Sequence, residues 1–187
     1  MLIAPRVNPR SFCMKGLGLV QVYTGAGKGK TTAALGLALR AWGRGLRVCV
    51  VQFMKFGEDY GEIRALRALG GIDLFQFGRD VLLVEGKIKP EDRLLGKDAL
   101  AKAREAMTSG SYDLVVLDEV NVAAYYGVVS PNDVMEAVRA RGEEVEVVLT
   151  GRNAPREFIE EADLVTEMVM RKHPYEKGLP ARMGIEY

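Results

Sequence analysis

The chain has 187 residues, of which 48% are hydrophobic and 27% are charged, and its formal net charge is +1. This length and composition predict one globular domain and exclude a disordered, collagen-like or disulfide-scaffold protein. The balance of 26 basic against 25 acidic residues argues against a protein that binds nucleic acid through bulk positive charge. Any anion must therefore be bound by a local arrangement of residues.

Features of the sequence that bear on location predict a cytoplasmic protein. The two cysteines, Cys13 and Cys49, are far apart, and Cys49 lies in an apolar run where a buried thiol acts as a small hydrophobe. The first ten residues contain no apolar stretch long enough for a secretory signal. The longest apolar runs have only the length of a strand, so we expect no membrane span.

Short apolar runs alternate with helical patterns along the chain. The predicted strands are 17–23, 46–53, 72–77, 112–118, 145–150 and 164–170. The predicted helices between them are 30–42, 61–69, 91–107, 131–139 and 155–161. The first helix is apolar nearly all round, which predicts burial on every side.

The fold class follows from this alternation. Continuous apolar runs, such as 48–51 and 114–117, indicate strands that helices cover on both faces of a parallel sheet. Strands separated by helices imply right-handed βαβ units. We expect a single α/β domain with a mostly parallel sheet of five or six strands, formed by residues 17–170. Residues 1–16 are predicted to be an N-terminal arm, and residues 171–187 a closing segment of the same domain.

A glycine-rich loop with the sequence TGAGKGKTT, residues 24–32, follows the first strand and opens the first helix. This is the strand–loop–helix arrangement of a P-loop, so the domain is expected to be P-loop NTPase-like. Glycines allow backbone N–H groups to turn inward, and the helix adds the positive end of its dipole. The predicted nucleotide-binding residues of the loop are Thr24, Gly25, Gly27, Lys28, Gly29, Lys30, Thr31 and Thr32. Thr24 stands where the usual pattern has its first glycine.

A second motif places two carboxylates, Asp118 and Glu119, directly after the apolar run 114–117. Ligands of open α/β sheets bind at the carboxyl ends of strands, so this pair resembles a Walker B element. An acidic pair at a strand end can also be ordinary solvated loop chemistry, but the glycine-rich loop favours a metal role. The predicted Mg²⁺ ligands are Thr31, Glu119 and Asp118.

These residues alone leave two classes of function open. In one, the protein is a P-loop enzyme, such as a kinase or an ATPase, that transfers a phosphoryl group or hydrolyses ATP, with Glu119 orienting the attacking oxygen. In the other, the nucleotide is a structural or regulatory ligand of a binding module. The only histidine, His173, is remote from both motifs in sequence, and we interpret it as a packed polar residue.

Several segments together resemble the P-loop family of ATP:corrinoid adenosyltransferases. They are residues 23–34, 50–53, 117–119, 150–152, 162–167 and the closing run 172–187. The resemblance extends over nearly the whole chain from about residue 18. It implies transfer of the 5′-deoxyadenosyl group of ATP to the Co(I) centre of a reduced corrinoid, with release of triphosphate. It also implies Mg²⁺, a homodimer, and an electron donor such as reduced flavodoxin or another flavoprotein.

The resemblance also implies roles for individual residues. Lys28 and Lys30 would be catalytic, because they stabilise charge on the departing triphosphate. Arg152 would contact the phosphates or the nucleoside, although a plain surface arginine is the alternative. Phe75 and Phe77 would line the corrinoid side, and core packing explains their spacing equally well. The closing segment would either bind anions through Lys172, His173 and Arg182 or fix Tyr187 against the sheet.

Overall fold

The computed structural model of the protein describes residues 16–81, 83 and 85–186. Cys13, Tyr187 and the predicted N-terminal arm, apart from Gly16, lie outside the described residues. Within the described part, strands and helices alternate as the sequence predicts. The strands are β1 (Val20–Thr24), β2 (Val48–Phe53), β3 (Ile72–Phe77), β4 (Leu114–Asp118), β5 (Glu146–Thr150) and β6 (Leu164–Glu167). The helices are α1 (Lys30–Gly43), α2 (Gly61–Leu69), α3 (Pro90–Thr108), α4 (Val120–Tyr125), α5 (Pro131–Arg139) and α6 (Arg156–Glu161), and a 3₁₀ turn covers Pro174–Lys177.

The six strands form one parallel sheet in the order β3-β2-β4-β5-β1-β6. The predicted α/β fold with a parallel sheet is therefore confirmed. Because β5 lies between β1 and β4, the segments that follow these three strands meet at one edge of the sheet. The glycine-rich loop and the acidic pair are thus close neighbours, although about 90 residues of chain separate them. The sequence analysis missed α4, which begins directly after Glu119.

Successive residues of the central strands feed two separate hydrophobic cores. Cys49 and Val51 pack with α3, α4 and α5 on one face of the sheet. Val48 and Val50 pack with α1 and α2 on the other face. This two-sided burial explains the continuous apolar runs. Cys49 is fully buried, and burial raises the pKa of its thiol to about 12, so it behaves as the predicted small hydrophobe.

The prediction that α1 is buried on every side is wrong. Apart from the loop residue Lys30, the buried residues of α1 are Ala34, Ala38 and Ala41, which form one stripe along the helix. Leu39, on another face, is 51% exposed. Small alanine side chains let the helix lie close to the sheet. Leu35, Leu37 and Trp42 are partly buried against the same core. Within the described residues, no helix combines the length and apolarity needed to span a bilayer.

Candidate active site

The glycine-rich loop depends on glycine because the chain after β6 packs directly against it. The Gly27 N–H donates to the Met168 carbonyl at 2.6 Å, and the Met168 N–H donates to the Thr24 carbonyl at 2.8 Å. A Cβ added at Gly25 or Gly27 would lie 2.5 or 2.6 Å from the Met168 carbonyl oxygen. Gly25 and Gly29 also have positive φ angles, of 95° and 119°, which side chains disfavour. The close approach of Met168 therefore fixes the loop and its residue types.

The hydroxyl of Thr24, at the first loop position, accepts a hydrogen bond from the Ala154 N–H at 3.2 Å. It thus ties the start of the loop to the segment after β5. This contact gives Thr24 a supporting role at the position where the usual P-loop pattern has glycine.

We predict that Gly27→Ala weakens nucleotide binding by at least about tenfold, because the new methyl group must displace either the loop or the Met168 carbonyl. Gly36→Ala is the matched control, since a Cβ at this exposed helical position meets nothing within 4 Å. That control should leave binding unchanged and raise the unfolding free energy by roughly 0.5–1 kcal/mol. Isothermal titration with ATP and thermal melts check both variants. Equal ATP affinity in the two variants would contradict the assigned role of the loop.

The two loop lysines make different contacts. Lys30 is buried, and its ammonium donates to the carbonyls of Gly25 and Gly27 at 2.8 and 2.7 Å. Burial lowers the pKa of Lys30, although the charge of Glu119 partly opposes this shift. The more exposed Lys28 donates to the Ile185 carbonyl at 2.6 Å and to the Glu186 carboxylate at 2.9 Å. Both ammonium groups thus donate hydrogen bonds to oxygen atoms, and phosphate oxygens would be bound by the same kind of hydrogen bond.

Asp118 is fully buried and is the centre of a hydrogen-bond network. Its Oδ1 accepts from the hydroxyls of Thr31 at 2.8 Å and Thr150 at 2.7 Å. Its Oδ2 accepts from the Gln52 amide at 3.0 Å and the Lys55 ammonium at 2.9 Å. Burial alone would raise the pKa of Asp118, but Lys55 and these hydrogen bonds outweigh burial and lower it. Asp118 is therefore a charged anchor that fixes Thr31, the first residues of α1 and the ends of neighbouring strands.

Glu119, the next residue along the chain, lines the main cavity. It has a φ of 63°, and its N–H donates to the Thr150 hydroxyl at 3.0 Å. Burial, together with the charge of Asp118, raises the pKa of Glu119. The two successive carboxylates thus have different surroundings: Asp118 lies in the hydrogen-bond network, whereas Glu119, with its left-handed backbone, lines the cavity.

The residues present fit Mg²⁺, which prefers oxygen ligands and usually retains contacts to substrate phosphates. The Thr31 hydroxyl and the Glu119 carboxylate are such donors at the edge of the cavity. Among the described residues, no group of three or more His, Cys, Asp or Glu side chains is arranged to hold a metal ion. A metal at this edge would therefore depend on phosphate oxygens as further ligands.

The main cavity has a volume of about 800 Å³, and its lining includes two sets of residues that differ in chemistry. The set called here the polar wall contains the predicted residues Gly27, Lys28, Gly29, Lys30, Thr31, Thr32, Glu119 and Arg152. The set called the apolar wall contains Met54, Phe56, Tyr60, Val81, Leu83, Val122 and Tyr126, and the charged residues Lys55, Arg79 and Asp80 of the same chain segments also line the cavity. The structure thus brings most of the predicted site together, with Thr24, Gly25 and Asp118 as support behind the polar wall. His173, which sequence analysis interpreted as packed, also lines this cavity.

Phe75 and Phe77 lie on β3 and pack against the core that contains α3. The Lys102 ammonium lies 4.3 Å from the centre of the Phe75 ring. The Phe77 carbonyl accepts a hydrogen bond from the Met54 N–H at 2.8 Å, and Met54 belongs to the apolar wall. Neither ring is among the described residues that line the main cavity.

Sequence analysis assigned no role to three partners of Asp118, namely Gln52, Lys55 and Thr150. Gln52 lies opposite Asp118 in the pairing of β2 with β4. Thr150 ends β5, on the other side of β4. A polar residue at or next to the carboxyl end of a mainly apolar strand is the signal that marks Gln52 and Thr150. Lys55 follows β2 in a loop and has no comparable signal.

Comparison of the sequence with those of known proteins identifies the family of the chain. The sequence profile of the family ATP:corrinoid adenosyltransferase BtuR/CobO/CobP matches residues 16–187. The chain is 38% identical over 175 residues to a corrinoid adenosyltransferase of a Sinorhizobium species, covering 91% of this chain and 80% of the relative. It is 35% identical over 170 residues to the corrinoid adenosyltransferase of Escherichia coli K12, covering 91% and 86%. Corrinoid adenosyltransferase CobA of Salmonella typhimurium is 36% identical with the same coverage. This chain belongs to the ATP:corrinoid adenosyltransferase family.

Proposed function

We propose that this protein transfers the 5′-deoxyadenosyl group of ATP to the Co(I) centre of a reduced corrinoid and releases triphosphate. One observation carries the proposal: a single cavity is lined both by the cationic, glycine-rich loop and by a set of apolar and aromatic residues. The loop suits a polyphosphate, and the apolar set suits a large macrocycle with an apolar face. A nucleotide held by its triphosphate on Lys28 and Lys30 would present its C5′ atom to the apolar side.

The reaction exchanges one bond for another without a proton transfer. The electron pair of Co(I) forms the cobalt–carbon bond, the C5′–O bond breaks, and the leaving oxygen takes its electron pair into the triphosphate. No general base is needed. The residues therefore act by stabilising the negative charge of the leaving group, through Lys28 and Lys30, and by aligning the two reactants.

Mg²⁺, when bound, would neutralise part of the negative charge of the triphosphate. The Thr31 hydroxyl and the Glu119 carboxylate would hold it. Asp118 would act mainly by orienting Thr31, because each of its oxygens already accepts two hydrogen bonds. Arg152, which is exposed on the polar wall, would pair with the nucleotide.

We expect Glu119→Gln to raise the Mg²⁺ concentration for the half-maximal rate by at least about tenfold, because an amide is a weaker ligand than a carboxylate. Initial rates of adenosyl transfer, titrated with Mg²⁺ at saturating ATP, measure this change. Glu157→Gln on α6 removes an exposed carboxylate outside the cavity and should leave the titration unaltered. A Mg²⁺ response in Glu119→Gln that matches the wild type would rule out the metal role.

Product analysis separates the proposed reaction from its alternatives. The protein is incubated without oxygen with ATP, Mg²⁺ and chemically reduced cobalamin. Adenosylcobalamin together with triphosphate supports adenosyl transfer. ADP and phosphate without a cobalt–carbon product would favour an ATPase or a kinase, and tight nucleotide binding without turnover would favour a regulatory module.

Further features of the enzyme remain predictions that rest on the family resemblance. They are a homodimer and a reduced flavodoxin or other flavoprotein as electron donor. The cytoplasmic location also remains a prediction, and it rests on cysteine usage and on the short apolar runs of the sequence. Phe75 and Phe77 are proposed to act on the corrinoid side by supporting the apolar wall from behind, since Phe77 bonds to the backbone of Met54.

A further inference from the structure

A second cavity, of about 510 Å³, adjoins the main one beside the glycine-rich loop. The two cavities share four residues, which are Gly27, Lys28, His173 and Glu186. The remaining lining of the second cavity comes from the segment after β6 and from the closing segment: Val169, Met170, Arg171, Lys172, Pro174 and Arg182. It is therefore a separate space that meets the main cavity at Lys28.

The second cavity is strongly cationic. Lys28, Arg171, Lys172 and Arg182 contribute four positive charges, and Glu186 contributes the single carboxylate of its lining. Among the described residues that line it, none is Phe, Tyr or Trp. This lining suits a highly charged anion.

The protein already places one oxyanion at the boundary between the two cavities. The Glu186 carboxylate accepts from the Lys28 ammonium at 2.9 Å and from the Arg182 N–H at 2.7 Å. It also accepts from Nε and Nη2 of Arg182, at 3.2 and 3.0 Å. Hydrogen bonds from Arg182 and Lys28 hold the pKa of Glu186 well below its usual range. Two cations and a backbone amide thus form an oxyanion site that an internal carboxylate fills.

A phosphate group is a stronger ligand for the same donors, because it has three oxygen acceptors and a larger negative charge. Lys28 belongs to the glycine-rich loop, so a chain of phosphates seated on that loop can continue past Lys28 toward Arg182, Arg171 and Lys172. The Glu186 carboxylate stands in this path. It must leave Lys28 when the phosphates arrive, since both would compete for the same ammonium.

We infer that the second cavity is a polyphosphate site, which terminal phosphates enter by displacing Glu186 from Lys28. This inference rests on the proposed function in placing a nucleotide on the glycine-rich loop. The polyphosphate is either the tail of bound ATP or the triphosphate released from it. The closing segment then acts as an internal competitor for phosphate, and the site separates the leaving group from the apolar wall.

Titration calorimetry of the full chain with inorganic triphosphate, without corrinoid, tests the site directly. The double variant Arg171→Gln/Lys172→Gln should weaken triphosphate binding by roughly fivefold or more, because it removes two charged donors. Glu186→Gln should strengthen binding by roughly threefold to tenfold, because the competing negative charge is lost. The opposite signs of these two effects distinguish a phosphate site from general damage to the segment.

A second ion pair in the chain provides the matched control. Arg156 and Glu160 on α6 are spaced four residues apart, like Arg182 and Glu186, and are also at the surface. Arg156→Gln and Glu160→Gln should both leave triphosphate affinity unchanged. The control thus removes charges of both signs at the same spacing, away from the cavity.

Repeating the titrations with ATP distinguishes the two sources of polyphosphate. Parallel shifts for ATP and triphosphate assign the site to the tail of the bound nucleotide. Shifts for triphosphate alone assign it to the released product. A triphosphate affinity that is too weak to measure in the wild type, or that is the same in all variants, overturns the inference. Adenosylcobalamin formation by the wild type, measured separately, would then still stand as evidence for the proposed function.

Discussion

Replacing Lys30 with alanine should lower the rate of adenosyl transfer by about 10²–10³-fold, the usual cost of removing one preorganised donor from a developing charge. Lys30 is the only lysine of the glycine-rich loop whose ammonium is held inside the loop, by the carbonyls of Gly25 and Gly27. Its position is therefore fixed before the reaction begins. Lys28 is bound to the closing segment instead and must be released before it can contribute equally.

The loss should appear mainly in kcat, because the charge that Lys30 stabilises grows as the C5′–O bond breaks. Single-turnover formation of adenosylcobalamin from chemically reduced cobalamin measures this step without interference from electron supply. Lys97→Ala, on the exposed side of α3, is the control and should keep the wild-type rate. The Lys30 variant should remain folded, because its ammonium contacts only the loop. Full activity of a folded Lys30→Ala protein would refute the assignment.

The sequence predicted most elements of the fold because most have a local signature. All six strands were identified from apolar runs, and alternate residues of the central strands do feed two cores. The same local signals identified the glycine-rich loop and the acidic pair. The strand order was not predicted, since it depends on which strands pair across long stretches of chain.

The network around Asp118 was missed for that reason. Gln52 and Thr150 lie next to Asp118 only because β2 and β5 flank β4. Helix α4 was missed because only Glu119 separates it from β4 and no proline, glycine or serine marks its start, whereas Pro155 marks the start of the equally short α6. The contact of Glu186 with Lys28 spans 158 residues and leaves no trace in local sequence. Apolar periodicity can be recognised within a short stretch of sequence. Which polar residues meet in the folded chain cannot be recognised in that way.

Asp118→Asn should lower the unfolding free energy by about 3–5 kcal/mol, the typical cost of breaking a buried ion pair. The change removes the nearer carboxylate partner of the Lys55 ammonium, whose side chain is 16% exposed, and leaves it the Glu62 carboxylate at 3.8 Å. It also replaces one acceptor oxygen with an amide NH₂ group. This group cannot accept the hydrogen bonds that the neighbouring donors make to Asp118. For a protein of this size, about 2–4 °C per kcal/mol predicts a fall in Tm of roughly 10 °C. Asp98→Asn, on the surface of α3, should change Tm by no more than about 2 °C.

A double-mutant cycle with Lys55→Met tests whether the ion pair is the cause. The double variant should be more stable than the sum of the two single losses by roughly 1.5–3 kcal/mol, because no unpaired charge remains buried. Additive losses would show that the Asp118 effect arises elsewhere, for example from the hydroxyls of Thr31 and Thr150.

The pH dependence provides an independent check of the charged state of Asp118. Its pKa is lowered in the folded protein, so the unfolded state binds the proton more readily, and the contribution of Asp118 to stability is complete above about pH 4. The contribution is lost as the pH falls through the folded pKa. The gap in Tm between the wild type and Asp118→Asn should therefore be widest near neutral pH and should narrow in acid. A gap that stays constant down to the onset of acid unfolding would mean that folding does not change the pKa of Asp118, and a gap that widens in acid would mean that folding raises it.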